Sequence, residues 1–222
     1  KPLIVGVAGG SASGKTSVCE LIFKRVGIKE CTIISLDNFY KECTEEEMAN
    51  ISKYNFDHPS AFDLELAKQT LRKLGRRQDV IIPRYNYSTC QRDQPGISVK
   101  CTDLILFEGI FTLIDPEIRE MMDIKIFVDT DADIRLLRRI TRDIVERGRD
   151  IKGVLKSYNK FVRQAYIDFI KPTMKYSDLI VPHGAANDIA IQFITENMKN
   201  RLISRGVLLA PNEREKQPVE DQ

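Results

Sequence analysis

Histidine is nearly absent: the 222 residues hold two, His58 and His183, far apart in the chain. A zinc enzyme would have almost no ligands to draw on, so cofactor chemistry must come from carboxylates, hydroxyls and backbone. The five cysteines (Cys19, Cys31, Cys43, Cys90, Cys101) are odd in number and form no C-x-x-C pair. They read as reduced thiols of a cytoplasmic protein, not as a disulfide framework. Long apolar runs are missing; Leu104-Ile105-Leu106-Phe107 is typical, far short of the ~20 residues that cross a bilayer. No membrane span is expected, and the apolar amino end runs into a Gly/Ser turn unlike a secretory signal. An excess of either charge is also missing, with 34 basic residues against 32 acidic. That balance argues against coating nucleic acid by bulk electrostatics, and no nucleic-acid partner is expected.

None of the twelve glycines are spaced G-x-G, and G-x-S-x-G does not occur. The dinucleotide fingerprint and the hydrolase elbow are therefore excluded. Internal repeats and low-complexity linkers are missing as well. At 42% hydrophobic and 30% charged residues, the chain can bury a core. One domain over 1–210 is expected, followed by a polar, disordered tail over 211–222.

What is there is an alternation of strands and helices. Pro2 to Ala8 is an apolar run ending in glycines, which suits a buried parallel strand. Cys31 to Leu36, Leu104 to Phe107, Ile124 to Val128 and Leu179 to Val181 read as further strands. Helical spacing covers Thr16 to Val26, Glu45 to Ala49, Pro59 to Leu74, Asp133 to Phe169 (broken at Arg147-Gly148-Arg149) and Ile189 to Ile203. Val80 to Ile82 and Ile97 to Val99 flank a turn-rich stretch, a hairpin flap. The pattern predicts an α/β fold with a parallel sheet.

Between the first strand and helix stands Gly9-Gly10-Ser11-Ala12-Ser13-Gly14-Lys15-Thr16, which matches G-x-x-x-x-G-K-[ST]. Glycines let backbone N–H groups fold around a phosphate, Lys neutralises its oxygens, and the Thr hydroxyl suits Mg²⁺ at the helix start. A plain glycine-rich turn is the alternative, and the strand before and helix after argue against it. A GTPase is disfavoured. Asp150-Ile151-Lys152-Gly153 spells D-x-x-G but falls within a helical stretch, and Asn159-Lys160 lacks the Asp that guanine recognition wants two places on.

Three strands end in an acid: Asp37, Glu108 and Asp129. In an open parallel sheet those ends share the edge that carries the glycine loop. One carboxylate can help hold Mg²⁺ and another can accept a proton from an attacking hydroxyl. Capping of the next helix is the competing role, and Asp129 fits it best. Arg135, Arg138, Arg139, Arg142, Arg147 and Arg149 crowd into fifteen residues with no lysine among them. Guanidinium suits bidentate contact with phosphate, so a helical arginine lid fits better than a solvated face.

With these features, the chain resembles the uridine-cytidine kinase branch of the phosphoribulokinase/uridine kinase family. The resemblance rests on GGSASGKTSVC (9–19), SLDNFY (35–40), YNFDHPSAFD (54–63), FEGI (107–110), VDTDADIRLLRRITRDIVERGRD (128–150) and PTMKYSDLIVP (172–182). It implies a P-loop, three-layer kinase fold. It also implies ATP as donor, Mg²⁺, and transfer to the 5′-hydroxyl of uridine or cytidine in pyrimidine salvage. ATP would lie on Gly9, Ser11, Ala12, Ser13, Gly14, Lys15, Thr16 and Ser17, with Arg142 and Arg147. Thr16 and Glu108 would hold the metal. Asp37 would be the base, with Tyr40 nearby. Asp57 and Arg139 would hold the ribose hydroxyls, and Arg149 would sit near phosphates or base. Phe56, Tyr85 and Tyr87 would wall the pyrimidine; spacing alone reads Tyr85 and Tyr87 as same-face residues of a strand. The resemblance further implies a homo-oligomer, a tetramer. Some eukaryotic members carry a fused C-terminal phosphoribosyltransferase domain, and the Lys1 start and polar tail are compatible with a domain cut from a longer chain.

Two departures fall on the acceptor side. Where the family runs Y-D-[FY]-x-x-H-[ST]-R, this chain has Tyr85-Asn86-Tyr87-Ser88-Thr89-Cys90-Gln91-Arg92, with Cys90 at the base-reading histidine. Ser157 replaces the family's Gln before Tyr158. A kinase of another nucleoside or small hydroxyl metabolite therefore stays open, as does a nucleotide-binding regulator without turnover. Asp37 and Glu108 speak against the regulator, since a pure binder needs no base.

Overall fold

The computed structural model describes residues 1–209; the expected disordered tail lies outside them. Five parallel strands form the sheet: β1 (Leu3–Gly9), β2 (Thr32–Ser35), β5 (Leu104–Glu108), β6 (Ile124–Asp129) and β7 (Leu179–Pro182). Their order is β2-β5-β1-β6-β7. Because side chains alternate along a strand, β1 sends Leu3, Val5 and Val7 to one face and Ile4 and Ala8 to the other. The first set meets Val18 and Ile22 of α1 (Lys15–Val26) and Ile191 and Met198 of α8 (Asp188–Ser204). The second meets Ala67, Leu71 and Leu74 of α3 (Leu64–Gly75), which follows the short α2 (Glu45–Ala49). Fully buried Leu, Ile and Phe side chains each contribute about 1.5–3 kcal/mol. A core of this size can hold strained backbone elsewhere, such as Ala12 at φ +59° in the glycine loop.

The flap is an antiparallel pair, β3 (Val80–Asn86) and β4 (Gln91–Val99). Beyond β5 come α4 (Pro116–Met121), α5 (Ala132–Val145) and α6 (Ile151–Ser157). The helix continues through two π turns, Tyr158–Val162 and Tyr166–Ile170, on either side of α7 (Arg163–Ala165). The lid break falls where expected, with Gly148 at φ +61°.

Four expectations need correction. The helix over Pro59 to Leu74 is two pieces, because Asp63 N→Phe39 O (2.7 Å) and Lys41 N→Ala61 O (2.8 Å) pull residues 61–63 into extended pairing. Asp63 then caps α3 by accepting from Leu66 N at 3.0 Å. Asp129 does not cap α5: Asp131 stands at its N-cap, and the Asp129 carbonyl accepts from His183 N at 2.9 Å. Asp150 is the N-cap of α6, its Oδ1 accepting from Gly153 N at 2.8 Å, not a residue within a helix. Tyr85 and Tyr87 do not share a strand face, since β3 ends at Asn86 and Tyr87 starts the turn.

Candidate active site

The strand ends converge. Register places Ser35 beside Glu108, Glu108 beside Val7, and Gly9 beside Val128, so the glycine loop leaves the sheet at the middle of one edge. Gly14 precedes α1 at φ +93°, a conformation that L side chains rarely adopt. Gly9 is needed for space, since a Cβ there would clash with the backbone carbonyl of Val128. No side chain caps α1, so the N–H groups of Lys15, Thr16 and Ser17 in its first turn stay available to an anion. Thr16 and Ser17 are exposed, while Ser13 is fully buried and contributes to the loop through its main chain.

Lys15 lies over the loop, its Nζ donating to Gly10 O at 3.0 Å. Burial pushes the Lys15 ammonium down in pKa, opposed first by the Glu108 carboxylate. Burial likewise pushes Glu108 up, opposed first by Lys15. Both groups lose hydration that a bound polyphosphate and cation would replace. Thr16 Oγ1 donates to Glu108 Oε1 at 3.1 Å, so a hydroxyl and a carboxylate oxygen stand together. That oxygen pair is the donor chemistry Mg²⁺ prefers, and it fits the cation.

Asp37 sits on a 3₁₀ turn (Leu36–Phe39) just past β2, where Ser35 Oγ accepts from its N–H at 3.3 Å. From here a cavity opens away from the loop. It is lined by every residue expected on the acceptor side: Asp37, Tyr40, Phe56, Asp57, Tyr85, Tyr87, Cys90, Arg139, Arg149 and Ser157. Ser11, Arg142 and Arg147 line it too, joining it to the phosphate side. Sequence reasoning missed Tyr54, Ile110 and Phe161. The first two lie inside motifs already singled out (YNFDHPSAFD and FEGI), and Phe161 carried no signal.

The cavity is graded in charge. At the loop end, Arg139 Nη1 donates to Ser11 Oγ at 2.9 Å and stands 3.6 Å from Asp57 Oδ1, both residues buried. At the far end are rings: Tyr40 meets Phe56 at 6.0 Å edge-on and Tyr85 at 5.0 Å, and Phe56 meets Tyr54 at 4.6 Å. Burial pushes the Tyr54 hydroxyl up to about 12 and the Cys43 thiol, beside Cys90, up to about 11. Tyr85 is raised for the same reason, so these three groups stay protonated and uncharged near neutral pH. Tyr85 Oη, in the cavity wall, is a buried polar atom without a hydrogen-bond partner. Such orphaned groups are costly in a folded protein unless a ligand or water completes them.

The arginine cluster is organised by a residue that sequence reasoning passed over. Asp143 is fully buried and meets Arg142 (2.8 Å), Arg139 and Arg149 (both 3.5 Å) and Arg147 (3.6 Å). Its signal was an acid set inside the arginine run, four residues after Arg139. Arg135 departs from the lid expectation. It is buried, donates Nε to Thr130 O at 2.9 Å, and lies over the Tyr166 ring at 4.0 Å. Burial alone would raise the Asp143 pKa, but the Arg142 and Arg139 charges outweigh it and hold the carboxyl low. A lowered native pKa adds stability above the unfolded-state value of about 3.9, lost as pH falls through the native one. Asp143→Asn should therefore lower stability at pH 7 by on the order of 3 kcal/mol, read by thermal or urea unfolding. The gap to wild type should close as pH drops below about 4. A pH-independent gap would point to packing instead of charge.

Residues 4–190 match the Phosphoribulokinase / Uridine kinase family. Uridine-cytidine kinase B of Dictyostelium discoideum is 48% identical over 201 residues, which is 90% of this chain and 83% of that protein. The chain belongs to the phosphoribulokinase/uridine kinase family. Uridine kinase-like protein 4 of Arabidopsis thaliana is also 48% identical over 91% of this chain, but the match spans only 43% of its length. Among solved structures, phosphoribulokinase from Rhodobacter spheroides shares the fold, with a TM-score of 0.58 at 20% identity. That similarity covers 82% of this chain and 70% of that one. Among the described residues no helix is long and apolar enough to cross a membrane.

Proposed function

We propose that this family member is an ATP-dependent nucleoside kinase that phosphorylates the 5′-hydroxyl of uridine and cytidine, giving UMP and CMP. The observation carrying this reading is the continuity of one cavity. It runs from the glycine loop, past Asp37 and the buried Asp57–Arg139 pair, to an uncharged aromatic end. A charged pair suits the vicinal hydroxyls of ribose, and neutral rings suit a neutral base. The names of the relatives support the same substrate class.

In this reading Asp37 accepts the proton of the 5′-hydroxyl as the oxygen attacks the γ-phosphorus. Lys15 and the α1 N–H groups carry the negative charge of the donor phosphates, with Arg142 and Arg147 facing them across the cavity. Thr16 and Glu108 would hold Mg²⁺, which when bound neutralises phosphate oxygens. Asp57 and Arg139 orient the ribose, so a deoxynucleoside should be a poor acceptor. An assay of Mg-ATP with uridine, cytidine, deoxynucleosides, purine nucleosides and small alcohols tests the proposal. Turnover confined to acceptors other than uridine and cytidine would redirect it. ATP binding without any turnover would make the protein a regulator.

Cys90 favours a second, broader reading. It is buried in the base end at φ +54°, and its thiol donates weakly to Tyr87 O at 3.8 Å. A histidine there could donate to or accept from the pyrimidine edge, and His tolerates this backbone region better than most residues. Cys90→His should raise kcat/KM for uridine and cytidine by about one to two decades while leaving the KM for ATP unchanged. A fall in kcat/KM would show that the base is read elsewhere on the flap.

A further inference from the structure

Tyr87 is expected, with Tyr85, to wall the base, and its ring does meet Tyr85 (5.5 Å) and Tyr40 (6.4 Å) edge-on, but its hydroxyl and one ring face run the other way. The turn carrying it is fixed by Asn86, whose Oδ1 accepts from Ser88 N (3.0 Å) and Thr89 N (3.3 Å). From this tip the Tyr87 hydroxyl donates to Asp37 Oδ2 at 2.9 Å. Among the described residues no other hydrogen-bond donor reaches that carboxylate. One face of the Tyr87 ring is covered by the Arg147 guanidinium, 4.2 Å from the centroid, within cation–π range. A face that holds a guanidinium cannot also stack on a pyrimidine. Arg147 in turn stands 3.6 Å from Asp143, so the contact reaches the arginine cluster. Burial, then the nearby Asp37 charge, push the Tyr87 hydroxyl up in pKa, so it remains a donor at any working pH.

We propose that Tyr87 is a positioning residue for phosphoryl transfer, which fixes the Asp37 carboxylate from the flap and ties it through Arg147 to the arginine lid. With Oδ2 held, rotation of the carboxylate is restricted and Oδ1 is presented to the acceptor hydroxyl. The gain is geometric, since a general base must lie within hydrogen-bond reach of the proton it removes. This inference rests on the reading of Asp37 as the base.

The test is steady-state kinetics of wild type, Tyr87→Phe, Asp37→Asn and the double variant, with Mg-ATP and uridine. Phenylalanine keeps the ring under Arg147 and loses only the hydroxyl. Tyr87→Phe should lower kcat about tenfold, with both KM values within about twofold of wild type. In the Asp37→Asn background the same change should have almost no further effect, because the residue acts through that carboxylate. An unchanged kcat, or a raised KM for uridine alone, would return Tyr87 to the base wall. A higher kcat would mean the hydrogen bond blocks the acceptor's place. A full tenfold loss retained in the double variant would make the role structural. Each of these three outcomes overturns the positioning role while leaving the kinase reading intact. A wild type without turnover on any acceptor overturns the kinase reading, and the positioning role with it.

Discussion

Asp37→Asn should reduce kcat by roughly 10²–10⁴-fold, the usual worth of a positioned general base, with the KM for ATP nearly unchanged. Asparagine has the same shape, and its side-chain oxygen can still accept from the Tyr87 hydroxyl 2.9 Å away. What it lacks is affinity for the acceptor's proton. The residue lies on a 3₁₀ turn outside the glycine loop, so the phosphate-binding surface should be untouched. Steady-state rates over a range of ATP and uridine concentrations separate the two effects. If ATP affinity collapsed while the rate at saturation stayed high, Asp37 would belong to the metal site and not to proton transfer.

Lys15→Ala should lower kcat/KM for ATP by on the order of 10³-fold or more, leaving an intact fold. Lys15 is 8% exposed, the direct hydrogen bond of its ammonium is to Gly10 O, and burial already works against its charge. Removing it should leave the fold in place, because the ion's own desolvation cost disappears and Glu108, already pushed up by burial, can take up a proton once its opposing charge is gone. The loss falls on the bound state, where no other ammonium can meet the donor phosphates from within the loop. Circular dichroism and a melting curve close to wild type, alongside the kinetic loss, are the expected result. Near-normal turnover would reduce the glycine loop to a simple turn.

Much of this site was legible because its parts lie at element ends. A glycine loop between an apolar strand and an amphipathic helix has few other uses, and acids after buried strands share one edge by topology alone. Legibility failed where partners distant in sequence decide the local structure. Residues 59–63 carry helical apolar spacing, yet only a 3₁₀ turn forms over Pro59–Ala61, and backbone bonds to Phe39 and Lys41 hold the end of the stretch extended. Asp129 stands where a cap belongs, but it stays in β6, its carbonyl accepting from His183 N at 2.9 Å, and the N-cap of α5 falls to Asp131. Phe161 reaches the cavity from a π turn, in which the extra residue per turn shifts later side chains off the 3.6-residue phase. A periodicity reading has no means of placing it. Spacing reads Tyr87 as sharing a strand face with Tyr85, and the end of β3 one residue earlier turns its hydroxyl towards Asp37.

The back of the glycine loop has a consequence for how the protein folds. The loop spans eight consecutive residues, yet its shape depends on chain made much later. Thr130 Oγ1 donates to Ser13 O across 117 positions, and Arg139 reaches Ser11 across 128. Arg135 fills the space behind Gly10, and β1 itself is flanked by β5 and β6, each about a hundred residues on. Contacts of such long sequence separation are slow to form, because chain closure must precede their reward. The loop's order is therefore acquired together with the central strands, and a nascent chain that ends before β5 holds the complete glycine-loop motif without the contacts that shape it.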